Sequence, residues 1–290
     1  MAIHRFTVLD ALLYVFIFIL CLSFVFPLVQ QLALSISNQN VLGSKSIGIF
    51  PMGFSVDAYE LLFKDRRIIQ YYYNTIKYAA VGTIIMLAST SLMAFPLTFR
   101  EFKGKKLVAI LLTITIFFSG GLVPFYLAVL RMGLVDTMWA LVLPGAITAW
   151  NVFIFRTFFM AIPDALRESA YIDGAGHFNV LYRIMLPLSK PLLATFTLFH
   201  VVGHWNDFFN ALIFLRDQEK QPVQLFLRRI LVLLDFREVE DTSALQMMGA
   251  ISSRTVKGAA VIITITPILC IYPFLQKYFT KGILVGALKN

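Results

Sequence analysis

Charged residues fall along the chain in clusters, separated by long runs that carry almost none. Six such runs stand out, at 11–34, 78–99, 107–130, 137–155, 191–215 and 258–276, and only Asp207 interrupts one. Each is close to the roughly 20 apolar residues a helix needs to cross hydrocarbon. Lipid offers backbone amides no partner, so each run is expected to be helical. The pattern predicts an all-α membrane protein with six transmembrane helices. The first run is too long for the apolar core of a signal peptide and lacks a small-residue cleavage site, so it is read as retained.

Between the runs the pattern changes. The stretch 35–71, with Asn38, Asn40, Gly43, Gly48, Pro51 and Gly53, reads as extended structure leading to a short helix near 58–63. The stretch 224–236 is apolar at Leu225, Leu227, Ile230, Leu231 and Leu234 but carries Arg228 and Arg229. Two central arginines are costly in hydrocarbon, so an interfacial or protein-packed helix is expected there.

Composition narrows the class. The 290 residues are 59% hydrophobic and 14% charged, against about 45–50% and 25% in soluble domains. This excludes a soluble domain, a disordered chain and a disulfide scaffold. The formal net charge of +9 reads as basic cytoplasmic loops, with no implication of nucleic acid. The tight connector 100–106 holds Arg100, Lys103, Lys105 and Lys106 against one acid, Glu101. Placing it in the cytoplasm puts both termini there and leaves 35–71, 131–136 and 216–257 outside. Cys21 and Cys270 each sit in an apolar run, with no metal-binding spacing.

The segment 163–187 carries the chemistry. Pro163 suits a helix start, and Asp164 favours the positive end of the helix dipole. Leu166, Ala170 and Asp173 share one face, and Gly174 and Gly176 can stop the helix in the left-handed conformation. A second helix at 177–186 is expected to present Phe178, Leu181, Tyr182 and Met185 on one side, before Pro187 breaks the chain. A short helix outside the membrane, bracketed by turns and tied to two spans, could act as a lever for a docked partner.

Glu168-Ser169-Ala170, with Gly174 six residues after the glutamate and Ile184-x-Leu186-Pro187 after nine more, resembles the EAA loop of ABC-importer permeases. One small residue, Ser169, replaces the first alanine of that pattern. The tail 272–290 and Trp205-Asn206-x-Phe208-x-x-Ala211-Leu212 are similar to MalG-type sugar permeases. Phe118-Ser119-Gly120-Gly121 and the residues to Leu127 are similar to the branch importing alginate- or aldouronate-type oligosaccharides. The resemblance implies a type I importer fold. Residues 1–70 would form an N-terminal helix with an external loop. Residues 71–280 would form a five-helix transmembrane domain, and 281–290 a cytoplasmic tail.

The same resemblance implies a prokaryotic inner-membrane protein that pairs with a MalF-like second permease, two ATPase subunits and an extracytoplasmic solute-binding protein. ATP and magnesium would be bound by the ATPase, and no phosphate-loop pattern occurs in this chain. Glu168 is the candidate ionic contact to the ATPase, with Ser169, Ala170, Asp173, Gly174, Ile184, Leu186 and Pro187 completing the loop. Lys289 and Asn290 are candidate ATPase contacts in the tail. Asp235, Glu238, Glu240, Asp241 and Thr242, in the nearly charge-balanced loop 216–257, are candidate contacts to the solute-binding protein.

Polar residues inside the runs are candidates for the translocation path: Trp150, Asn151, His204, Asn206 and Asp207, with Phe125 and Tyr126 as further aromatics. His200, His204 and Asp207 have a spacing that can hold zinc, but a polar lining is the expected reading. Asp207 is also the one foothold for a proton-coupled secondary transporter. Trp139 and Trp205 suit a membrane interface, and Trp150 helix packing. Arg156 and Lys77 are the nearest cations for an acidic sugar and also suit interface anchors.

Overall fold

A computed structural model describes residues 7–42, 47–239 and 253–287, and every regular element among them is helical. The chain divides into two compact units. One takes the residues up to Ile68 together with Leu227–Thr266, and the other takes Ile69–Phe226 with the residues from Pro267 onward.

In the first unit, α1 (Val8–Ser35) opens with a capping box. The Thr7 hydroxyl accepts from the Asp10 amide at 3.3 Å, and the Asp10 carboxylate accepts from the Thr7 amide at 2.8 Å. Two amides with no intrahelical partner are thereby satisfied. The far end of α1 is pinned by short polar contacts, because Ser37 Oγ donates to Ala33 O at 2.6 Å and accepts from Met52 N at 3.1 Å. Ser35 Oγ shares a hydrogen bond of 2.7 Å with Tyr59 Oη, on α2 (Asp57–Lys64). A β-carbon on Gly258 would lie 3.1 Å from Gln31 O and 3.2 Å from Ser35 N, so glycine permits close backbone approach between the helix carrying it and α1.

The second unit is built around α3 (Arg67–Ala94), which continues through one tight turn to Thr98. Then follow α4 (Lys105–Phe117), α5 (Leu122–Arg131), α6 (Ala149–Met160), α7 (Asp164–Ile172), α8 (His177–Leu188), α9 (Lys190–Asn206) and α10 (Phe209–Phe214). The boundary between the two units falls within α11 (Val223–Val239), where an external helix was expected, and within α12 (Ser253–Ala287). One core gathers Phe95, Phe155, Phe159, Leu181, Met185 and Phe196. Phe155 is fully buried and meets Phe196 edge-to-face at 4.9 Å. A second core gathers Tyr78, Val129, Leu141, Ala211, Phe214 and Leu225.

The apolar runs do not all become unbroken helices. Val8–Ser35, Arg67–Thr98 and Arg254–Ile271 are long and apolar enough to cross a membrane. α8 and α9 form a bent pair, kinked by 80° at Ser189, between Pro187 and Pro191. The run 107–130 is split between α4 and α5, because the chain unwinds at Phe118 and Gly121 takes a φ of +81°. The run 137–155 is split as well, where Pro144 and Gly145 separate a turn at Trp139–Val142 from α6. Local breakers outweigh apolarity here, since proline has no amide to donate and glycine alone enters the positive-φ region without strain.

Candidate functional site

Two regions of the second unit hold the residues singled out by sequence. The first is the segment 163–187. Pro163 is extended at the N-cap of α7, with φ −55° and ψ 130°, and Asp164 occupies the first turn. Gly174 takes φ +81°, donating to Tyr171 O at 3.0 Å, while Ala175 N donates to Ala170 O at 2.9 Å. This pair of bonds ends the helix in the left-handed manner. No residue of α7 is buried. Glu168, Ser169, Asp173 and Gly174 are exposed, Ala170 half-buried, and Ile172 is 86% exposed.

The helix is nevertheless held firmly. Arg167 donates from Nη1 to Thr98 Oγ1 at 3.0 Å, pairs with Asp164 and lies over the Phe99 ring at 5.6 Å. The Tyr171 hydroxyl is 2.8 Å from His177 Nδ1, and burial pushes that phenol up from its ordinary pKa. Sequence reasoning missed Arg167. Its spacing of three from Asp164 was visible, but its partners at 98 and 99 were not.

α8 departs from expectation. Leu181 and Met185 are buried, whereas Phe178 and Tyr182 are 69% and 54% exposed, so the four do not share one buried side. Each pair is spaced by four, and the two pairs occupy adjacent faces across the wide turn at Leu181–Met185. Ile184 and Leu186 are half-buried and Pro187 exposed, and the break falls at Ser189.

The second region is a cavity of about 680 Å³ between the two cores, with Met86 and Phe196 on one side and Ala140 and Leu141 on the other. Trp150, Asn151, His204, Asn206 and Asp207 all line it, joined by His200, Asn210, Phe125 and Phe199. Tyr126 does not line it and stacks on Phe214 at 5.9 Å. The His200 and His204 rings meet edge-to-face at 4.6 Å, and His200 Nδ1 is 3.4 Å from Thr83 Oγ1. A β-carbon on Gly82 would lie 2.3 Å from His204 Nε2, so that ring sits where only glycine leaves room.

Asp207 accepts from the Asn210 amide at 3.1 Å and from its side-chain Nδ2 at 2.9 Å, which satisfies a first-turn amide of α10 from just before its N-cap, Phe208. Among the described residues no group of three His, Cys, Asp or Glu could hold a metal. Trp205 departs from its interface reading. Trp205 is 3% exposed and packs beside Tyr72 at 6.2 Å, while Trp150 is 67% exposed on the cavity. Among the described residues no lysine or arginine lines the cavity. Arg156 instead donates to Leu97 O at 3.0 Å, and Lys77 lies 6.0 Å from the Tyr73 ring.

The end of the unit away from α7 is closed by residues the sequence did not single out. Asp136, at φ +61°, accepts from the Arg216 and Asp217 amides at 3.0 Å each and from Lys220 Nζ at 2.8 Å. The Asp217 amide and the Lys220 ammonium hold its carboxyl down to about 2. Asn74 and Tyr78 donate to Glu219 O and Lys220 O at 2.6 Å and 2.7 Å. The 24 steps along the chain from Asn74 to Thr98 span about 36 Å of helix, so this clamp and the Arg167 anchor lie at opposite ends of the same helical segment. Asp235 and Glu238 fall in the last turns of α11. Glu240, Asp241, Thr242, Lys289 and Asn290 lie outside the described residues.

Residues 1–285 match the family described as "Binding-protein-dependent transport system inner membrane component". The chain is 42% identical over 267 residues to Protein LplC of Bacillus subtilis, covering 92% of this chain and 90% of that one. It is 36% identical over 281 residues to the polygalacturonan/rhamnogalacturonan transport system permease protein YtcP of the same organism, covering 97% and 98%. A chain in the crystal structure of a bacterial ABC transporter involved in import of the acidic polysaccharide alginate superposes with a TM-score of 0.86 at 29% identity, over 95% of this chain and 99% of that one. The chain belongs to the binding-protein-dependent transport system inner membrane components.

Proposed function

We propose that this chain, a permease subunit of an ABC importer for oligosaccharides, receives its power stroke from a separate ATPase docked on α7 and the exposed side of α8. The observation that carries this reading is the exposure of α7 together with its anchorage. No residue of the helix is fully buried, yet Arg167 fastens it to Thr98 and Phe99 at the end of a helical segment that also borders the cavity through Met86. A push on α7 would therefore reach the cavity through packed helices, as alternating access requires. Glu168 and Asp173 offer acidic contacts, and Phe178 and Tyr182 an apolar one.

On this reading the α7 end faces the cytoplasm, both termini lie there, and the segments split at 118–121 and 144–148 still cross the membrane as interrupted spans, six in all. A second permease subunit would complete the path. A solute-binding protein would dock at the Asp136 end, with the stretch from Asp235 to Thr242 as its contact. The cavity offers amides, imidazoles and aromatic faces, a set suited to sugar hydroxyls and ring faces. Because no lysine or arginine among the described residues lines it, a uronate's charge would be met by the second permease.

Glu168→Lys tests the reading. The complex should assemble and insert but show several-fold less sugar-stimulated ATP hydrolysis, because charge is reversed at the docking face. Unchanged uptake and unchanged stimulation would remove Glu168 from the coupling contact.

A further inference from the structure

A second cavity, of about 480 Å³, opens where α3 ends and α4 begins, and five cations line it: Arg100, Lys103, Lys105, Lys106 and Arg156. None of them makes an ion pair among the described residues, and the one acid of the connector, Glu101, is exposed and not part of the lining. Five positive charges drawn into one concavity repel one another at close range. Lys105 and Lys106 also occupy the first turn of α4, which has no acidic residue there and no side-chain cap on Gly104. Cations at a helix N-terminus oppose the dipole. A multivalent anion would relieve both conflicts.

The rest of the lining says which anion. Leu97, Phe102 and Ala109 form an apolar wall, and on the Ala109 side of α4 Ile110, Ile116 and Phe117 continue it at 48%, 46% and 76% exposure. A charged head beside an apolar helix face matches a phospholipid, whereas a free anion would need only the head.

We propose that this cavity holds the phosphate headgroup of an anionic membrane lipid, with its acyl chains along α4. The inference rests on the reading of the α7 end as cytoplasmic, since Thr98, bonded to Arg167, borders the same connector. The bound headgroup neutralises the connector beside that anchor, and basic pockets at the cytoplasmic membrane surface recognise anionic headgroups in this way.

The test uses the assembled complex in nanodiscs of phosphatidylcholine, with or without phosphatidylglycerol or cardiolipin, and reads retained lipid by native mass spectrometry without ATP or sugar. Wild type should retain anionic lipid. The triple variant Lys103→Gln, Lys105→Gln and Lys106→Gln should retain about tenfold less or lower still, and the corresponding triple lysine-to-arginine variant should match wild type. If the glutamine variant fails to assemble, displacement of spin-labelled phosphatidylglycerol from wild type by unlabelled cardiolipin, and not by phosphatidylcholine, supports the proposal. Equal displacement by both lipids overturns it. So do equal retention by all variants, displacement by millimolar inorganic phosphate, or carboxyl-to-amine crosslinking of Lys103 to the ATPase. Because no transport is measured, failure here leaves the ATPase-docking reading untouched.

Discussion

Gly174 gives a sharp test of the geometry at the docking loop. Its φ is +81°, and a β-carbon there would meet nothing within 4 Å. A substitution therefore costs backbone strain without a clash inside this chain. An L-residue in the left-handed region costs about 1–2 kcal/mol. Asparagine tolerates that region better than alanine, and β-branched residues tolerate it worst. One to two kcal/mol reduces the population of the wild-type loop conformation by about 5- to 30-fold, and the apparent affinity for a partner needing that conformation falls by up to the same factor. The order Gly, Asn, Ala, Val should therefore appear in ATPase binding by the solubilised permease, with Gly174→Asn nearest wild type and Gly174→Val weakest. Because asparagine is larger than alanine, the series separates strain from bulk. A loss that follows side-chain volume, with asparagine worse than alanine, would refute the backbone argument and point to a close approach by the ATPase. Wild-type affinity in Gly174→Val would refute the need for this turn altogether.

Two further outcomes follow from the cavity and the clamp. Gly82→Ala puts a β-carbon 2.3 Å from His204 Nε2, so the ring must move by about 1 Å at an overpacking cost of about 1–3 kcal/mol; melting in detergent should show the loss, His204→Ala should restore stability in the double variant, and failure of that rescue would mean the two residues do not compete for space. The Asp136 carboxyl sits at about 2, below its ordinary 3.8, so its contribution to folding is complete above about pH 4 and fades only as the pH falls toward 2; Asp136→Asn should lower the melting temperature by about 2–4 °C equally at pH 7 and pH 5, and a deficit that vanishes by pH 5 would contradict the assignment.

Much of this architecture is written in the charge gaps of the sequence, because hydrocarbon forbids unpaired amides and so fixes where helices lie. Where each helix ends depends on single residues. Gly120-Gly121 and Pro144-Gly145 were in plain view, but an apolar run conceals how strongly they break it. The polar residues 150, 151, 204, 206 and 207 fall on one cavity since a polar group in an apolar run must meet water, a ligand or another polar group. Trp205 is buried against an expectation of an interface position because burial depends on which helix face meets α3, which spacing within one run does not reveal. Gly174 was legible because its role is local to the backbone. Arg167 and Asp136 were not, since their partners lie 69 and 80 or more residues away.

The central claim is that α7 is the ATPase dock. The most direct measurement introduces Ser169→Cys on this exposed helix, in a background where the exposed Cys21 and Cys270 are replaced, and asks which subunit a short thiol-specific crosslinker captures in membrane vesicles. The account predicts a crosslink to the ATPase subunit, formed from the cytoplasmic side and altered in yield when ATP is trapped. Capture of the solute-binding protein, or labelling of Ser169→Cys only from outside, would contradict it.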